Sequence, residues 1–170
     1  MTRLGLGAVL ALVLVAAMTG SAPTGGRLWV LGDSIGVGVS AQLRALGVPH
    51  ESRVEQSTTA QQWLARGHDV LAELAPGDVV SVSLGTNDYQ SASLLAGFAG
   101  AMAQLRAGVE SRGARFVWLA PPSPSIDDWR FRFGTPYEIA GKSLPMADRW
   151  HPTVEGYRML AEAVRRLGGY

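Results

Sequence analysis

Leu28-Trp29-Val30-Leu31-Gly32-Asp33-Ser34-Ile35-Gly36 reads as a strand, a tight turn and the start of a helix. Leu28 to Leu31 is apolar without alternation, as a strand covered on both faces requires. Gly32-Asp33-Ser34 are turn formers. Beyond them Val39, Leu43 and Leu46 recur at helical spacing, and Gly47-Val48-Pro49 stops the helix. A buried strand that runs directly into a helix opens a strand-helix-strand unit. The expectation is therefore an α/β fold with a parallel sheet.

Toward the carboxyl end the alternation continues. A weak strand is expected at Glu51–Val54. Residues 59–74 read as one helix, with Trp63, Leu64, Val70, Leu71 and Leu74 as apolar positions. Pro76-Gly77-Asp78 is a turn, and Val79–Leu84 is a β-branched strand ended by Gly85. A helix over about 91–111 carries Leu94, Leu95, Phe98, Met102, Leu105 and Val109 at intervals of three and four. Arg115–Leu119 is a further strand, ended by Pro121-Pro122, and residues 123–147 read as irregular. Thr153 caps a last helix with Tyr157, Leu160, Val164 and Leu167 on one face. No internal repeat is visible. This order predicts a three-layer α/β/α sandwich around a parallel, flavodoxin-like sheet of about five strands. No fifth strand is evident before Asp148. In such sheets ligands bind beyond the carboxyl ends of the strands.

Toward the amino end, Thr2-Arg3 precedes an apolar run from Leu4 to Met18, followed by Thr19-Gly20-Ser21-Ala22. A basic start, an apolar stretch and small residues describe a secretory signal. The run is short for a spanning helix, which needs about 20 residues; an uncleaved anchor is the alternative. Residues 1–22 are thus expected to be a signal peptide or anchor, and 23–170 one domain. The product would be periplasmic or secreted, and any membrane association would run only through that segment. The 170 residues include no Cys, which removes disulfides, a thiol nucleophile and thiolate zinc sites. The formal charge is +1 and falls to zero without residues 1–22, which hold Arg3. No basic run is present, so no nucleic-acid partner is expected.

Three motifs fall at strand or helix boundaries on the expected functional edge. Gly32-Asp33-Ser34-Ile35-Gly36 places a hydroxyl at a strand-to-helix turn; an ordinary turn is the bland alternative. It also fits the Gly-x-Ser-x-Gly elbow of α/β-hydrolases, but that elbow follows several strands and Ser34 follows one. Gly85-Thr86-Asn87-Asp88 ends the Val79–Leu84 strand. Asn87 there could donate an amide N–H to an oxyanion, or could merely form an Asx turn. Asp148-Arg149-Trp150-His151 precedes the last helix. Of the three His (His50, His68 and His151), only His151 has a carboxylate three residues earlier at a loop-to-helix junction. Asp148 could fix its tautomer, or could simply start the helix.

Together the three motifs resemble the SGNH, or GDSL-like, hydrolase family over essentially residues 27–168. Gly32-Asp33-Ser34-Ile35 is similar to its Gly-Asp-Ser-Leu block, Gly85-Thr86-Asn87-Asp88 to its Gly-x-Asn-Asp block, and Asp148 to His151 to its Asp-x-x-His block. The continuation Pro152 to Tyr157 is also family-like. One block departs. The family usually has a Gly after its second strand, whose backbone N–H completes the oxyanion hole; here Gln56 or Ser57 stands at its place, before Thr58-Thr59-Ala60. A left-handed backbone there would strain Gln56.

The resemblance implies an esterase. Ser34 would be the nucleophile, His151 the base and Asp148 its orienting partner. Asn87, the Ser34 N–H and the donor near Gln56 would hold the oxyanion. No cofactor or metal is expected. Trp129-Arg130-Phe131-Arg132-Phe133 could make Trp129 a substrate contact, or could be a short edge strand packed on the core. The expected substrates are acetyl or short acyl esters on envelope or extracellular glycans or lipids. Two alternatives remain. One is a non-catalytic envelope glycan- or lipid-binding module that keeps the fold. The other is a metal-dependent hydrolase using Asp33, Asp88, Asp148 and His151, which lack His-rich ligand spacing.

Overall fold

The computed structural model describes residues 25–121 and 144–170. Every residue of β1 (Leu28–Gly32) is buried, as its unbroken apolar pattern requires. Helix α1 (Ser34–Ala45) follows with one residue between, and β2 (Glu51–Val54) returns parallel to β1. Two short helices come next, α2 (Ala60–Arg66) and α3 (His68–Glu73). Strand β3 (Val79–Ser83) pairs with β1 on its other side, with Leu28 opposite Val79 and Gly32 opposite Ser83. A short turn of 3-10 helix (Asp88–Gln90), α4 (Ala92–Glu110), β4 (Arg115–Trp118) and α5 (Val154–Gly168) complete the described chain. The strands are all parallel, in the order β2-β1-β3-β4.

The sheet separates two cores because successive strand side chains point to opposite faces. Trp29, Leu31, Val80, Val82 and Trp118 pack with Trp63, Val70, Phe98, Met102, Leu105 and Val109, which belong to α2, α3 and α4. Leu28, Val30, Val79 and Val117 face the other way, against Val39 and Leu43 of α1 and Leu160 and Val164 of α5. The result is the expected three-layer α/β/α sandwich. Four strands are found among the described residues, against about five expected.

One expected helix is divided. Apolar spacing carries through residues 59–74, but Gly67 ends α2 and opens α3, and it is closed over by Trp63. A Cβ at Gly67 would lie 2.8 Å from that indole ring. The expected leader at 1–22 and the segment containing Trp129 lie outside the described residues. Among the described residues no helix is long and apolar enough to cross a membrane.

The strand order reverses direction between β1 and β3, since the chain moves from β1 to one side for β2 and then to the other for β3. In open parallel sheets such a switch point opens a crevice at the carboxyl ends of the strands. Two glycines shape that edge. Gly32 has φ +144, and a Cβ there would lie 2.3 Å from the Ser83 carbonyl oxygen. Gly85, two residues beyond β3, has φ +125, so the chain leaves both strands through a glycine in a backbone conformation side chains disfavour.

Candidate active site

Ser34 is the first residue of α1, immediately after the N-cap Asp33, whose carboxylate accepts the Ile35 N–H at 3.0 Å. The turn thus projects the Ser34 hydroxyl from the end of β1 over the amino terminus of a helix. On the opposite side of the site, Thr153 caps α5 by accepting the Gly156 N–H at 3.2 Å. That cap fixes the preceding loop, which carries Asp148 and His151. The loop is further held where Ala147 N–H donates to the His151 carbonyl at 2.8 Å and Thr153 N–H to the Pro145 carbonyl at 2.7 Å.

These elements bring together residues 117 positions apart: Ser34 Oγ lies 3.1 Å from His151 Nε2. His151 Nδ1 lies 3.0 and 3.2 Å from the two Asp148 carboxylate oxygens. A carboxylate can only accept, so Nδ1 carries the proton and Nε2 is left to accept from Ser34. Asp148 Oδ1 also accepts the backbone N–H groups of Trp150 and His151, each at 2.7 Å. These bonds, led by that from Trp150, hold its carboxyl down at about 2, so it remains a carboxylate across the neutral range. His50 is employed elsewhere. Its Nδ1 donates to the Val48 carbonyl at 2.9 Å and its Nε2 meets Ser40 Oγ at 2.8 Å.

Asn87 follows β3, and its amide nitrogen donates to the Thr58 carbonyl at 2.9 Å. The same nitrogen lies 3.4 Å from Asp33 Oδ2, the residue before the nucleophile. The donor is therefore tied both to the turn after β2 and to the turn after β1. Asp88 adds a second tie: both of its carboxylate oxygens lie near the Ala60 N–H, at 3.2 and 3.1 Å, at the start of α2. A capping box between Thr59 and Gln62 sets the direction of that helix. Burial pushes the Asp88 carboxyl up to about 6 and the Asp33 carboxyl up to about 7. Both side chains are fully buried. Sequence reasoning noticed Asp33 and Asp88 only as block members and possible metal ligands. The available signal was an N-cap rule, an Asp immediately before a helix that leaves a strand.

The turn after β2 differs in detail from the sequence expectation. The left-handed residue is Ser57, at φ +60, and Gln56 is not among the residues of positive φ. The strain foreseen for Gln56 thus falls one position later, on a small side chain. Gln56 and Ser57 are both exposed at the end of β2. Among the described residues, no group of three or more His, Cys, Asp or Glu side chains is placed to hold a metal ion.

No family model matches the chain, and no curated protein matches it in sequence. Solved structures do match in fold. A protein assigned to the lipolytic G-D-S-L family from Desulfitobacterium hafniense DCB-2 superposes with a TM-score of 0.61 at 19% identity, over 82% of this chain and 98% of that one. A catalytic mutant of an acetylxylan esterase from Geobacillus stearothermophilus gives 0.60 at 18%, over 86% and 95%. A protein assigned as an SGNH hydrolase, from Slackia heliotrinireducens, gives 0.59 at 17%, over 84% and 98%. With the strand order, the switch point and the three tied turns, this likeness establishes the architecture: the chain has the α/β/α fold of the SGNH/GDSL-type hydrolases.

Proposed function

We propose that the chain is a serine esterase that hydrolyses carboxylic esters by acyl transfer through Ser34. The observation that carries this reading is the continuous line Ser34 Oγ, His151, Asp148, with contacts of 3.1 and 3.0 Å. Neutral His151 takes the hydroxyl proton at Nε2 as Ser34 Oγ attacks the ester carbonyl. The tetrahedral oxyanion is held by Asn87 Nδ2, the Ser34 backbone N–H and a third N–H from the turn after β2. The left-handed backbone at Ser57 supports Ser57 in the glycine's place, with Gln56, the sequence expectation, as its neighbour in the same turn. His151 then gives its proton to the leaving alcohol. Water, deprotonated by the same imidazole, releases the acyl group and restores Ser34. Asp148 keeps the imidazole in the tautomer that accepts from Ser34 and stabilises its protonated form. His151 performs this step only in its neutral form.

The substrate class we favour is acetyl or short acyl esters on envelope or extracellular glycans or lipids. The leader-like residues 1–22 and the acetylxylan esterase among the similar folds support it. The test is hydrolysis of acetyl and octanoyl aryl esters by the full chain and by Trp129→Ala. Faster turnover of the acetyl ester supports the reading. A strong octanoyl preference that disappears in Trp129→Ala points instead to a lipid acyl chain seated on Trp129. Glycan or lipid binding with no turnover of either ester returns the chain to a binding module.

A further inference from the structure

Asp33 has no place in the proton relay, yet it is fully buried one residue before the nucleophile. Its Oδ1 accepts the Ile35 N–H at 3.0 Å, and its Oδ2 lies 3.4 Å from Asn87 Nδ2. That nitrogen has two N–H bonds, and the Thr58 carbonyl engages one at 2.9 Å. The other is drawn both by Asp33 and by any oxyanion that Asn87 stabilises. An ionised carboxylate is a strong competing acceptor and places a like charge beside the oxyanion; a neutral carboxylic acid does neither.

We propose that Asp33 is a positioning residue that sets the strength of the Asn87 donor. As a carboxylic acid it leaves the second Asn87 N–H to the oxyanion; as a carboxylate it draws that N–H back and opposes the developing charge. The proposal rests on the esterase reading. The groups around Asp33 are consistent with a carboxyl that changes charge near neutrality. Burial raises it to about 7, and the like charge of Asp88, on the turn after β3, adds to this. Hydrogen bonds from the Ile35 N–H and the Thr86 side chain act in the opposite direction. Tyr157 of α5 faces it as well, its phenol pushed up by burial and then by the charges of Asp33 and Asp148. His151 reaches the adjacent Ser34, its Nε2 lying 3.1 Å from Ser34 Oγ.

The experiment is the rate of inactivation by a small fluorophosphonate from about pH 5 to about pH 9.5, for the full chain, Asp33→Asn and Thr86→Val. The phosphonyl oxygen occupies the same hole as an ester oxyanion, so no natural substrate is needed. The wild-type rate should fall on the alkaline side as Asp33 ionises. Asp33→Asn should lack the alkaline fall, so that its rate relative to wild type climbs by about tenfold or more between about pH 6 and about pH 9. Thr86→Val removes a bond that favours the ionised form and should move the fall to higher pH. An alkaline fall that persists in Asp33→Asn, or that stays in place in Thr86→Val, overturns the proposal while leaving the esterase reading intact. If Asp33→Asn does not fold, Thr86→Val decides alone. Absence of labelling at any pH in the wild type overturns the esterase reading and this proposal with it.

Discussion

Replacing Asp33 with Asn should flatten the dependence of stability on pH. In the unfolded chain this carboxyl ionises near 3.8; in the folded protein, burial raises it to about 7. The folded state therefore holds the proton more tightly. Its contribution to stability is complete below the unfolded value and is lost as pH rises through the folded one. Each unit of difference is about 1.4 kcal/mol, which sets the whole effect at about 4 kcal/mol. Most of it falls in the neutral range: between about pH 5 and about pH 8 the loss is roughly 2–3 kcal/mol. For a domain of this size, that lowers the melting temperature by roughly 5–10 °C. Asn keeps an oxygen that can accept the Ile35 N–H, so the helix cap can survive. Asp88 also titrates from a raised position, but it does so in both proteins. The assay is thermal unfolding of wild type and Asp33→Asn at several pH values, and the informative quantity is the difference in slope. Parallel melting curves across that range would refute the reasoning.

Other perturbations test separate parts of the account. Asn87→Ala should reduce kcat by about 10²–10³-fold, measured on a small aryl ester, because it removes one oxyanion donor. Asp148→Asn should lower kcat by about 10²–10⁴-fold with melting little changed, since the side chain is exposed and its main work is on the His151 tautomer. Asp78→Ala acts far from the site. Asp78 is buried and accepts from Arg27 N–H at 2.7 Å and from Trp29 Nε1 and Ala75 N–H at 3.0 Å each. Stranding those donors should cost about 3 kcal/mol and roughly 6–12 °C of melting temperature, read by calorimetry.

The sheet was legible because the patterns of its strands are unambiguous. Leu28–Leu31 is apolar throughout and Val79–Val82 is β-branched but for Ser81; β1 ends on Gly32, and Gly85 follows two residues after β3. The division of residues 59–74 was not legible, because apolar spacing continues across Gly67 and only the Trp63 ring packed over it shows why the chain breaks there. The proximity of Ser34, Asn87, Asp148 and His151 was readable only from the combination of motifs, since each alone has an ordinary turn or cap as an equal explanation. The ties among the turns were not readable. Asp33 to Asn87, Asn87 to Thr58 and Asp88 to Ala60 are long-range contacts set by the convergence of three strand ends, and no local pattern encodes them. The same holds for the left-handed residue after β2. Neither Gln56 nor Ser57 advertises positive φ as a glycine would, and the backbone places it at Ser57.

The most direct test of the central claim is covalent capture of the nucleophile. The full chain would be treated with a fluorophosphonate and digested, and the adduct located by mass spectrometry, with Ser34→Ala and hydrolysis of a small aryl ester followed in parallel. The account predicts a single adduct on Ser34, with labelling and hydrolysis both lost in Ser34→Ala. An unlabelled Ser34, or ester hydrolysis that continues unchanged in Ser34→Ala, would contradict it.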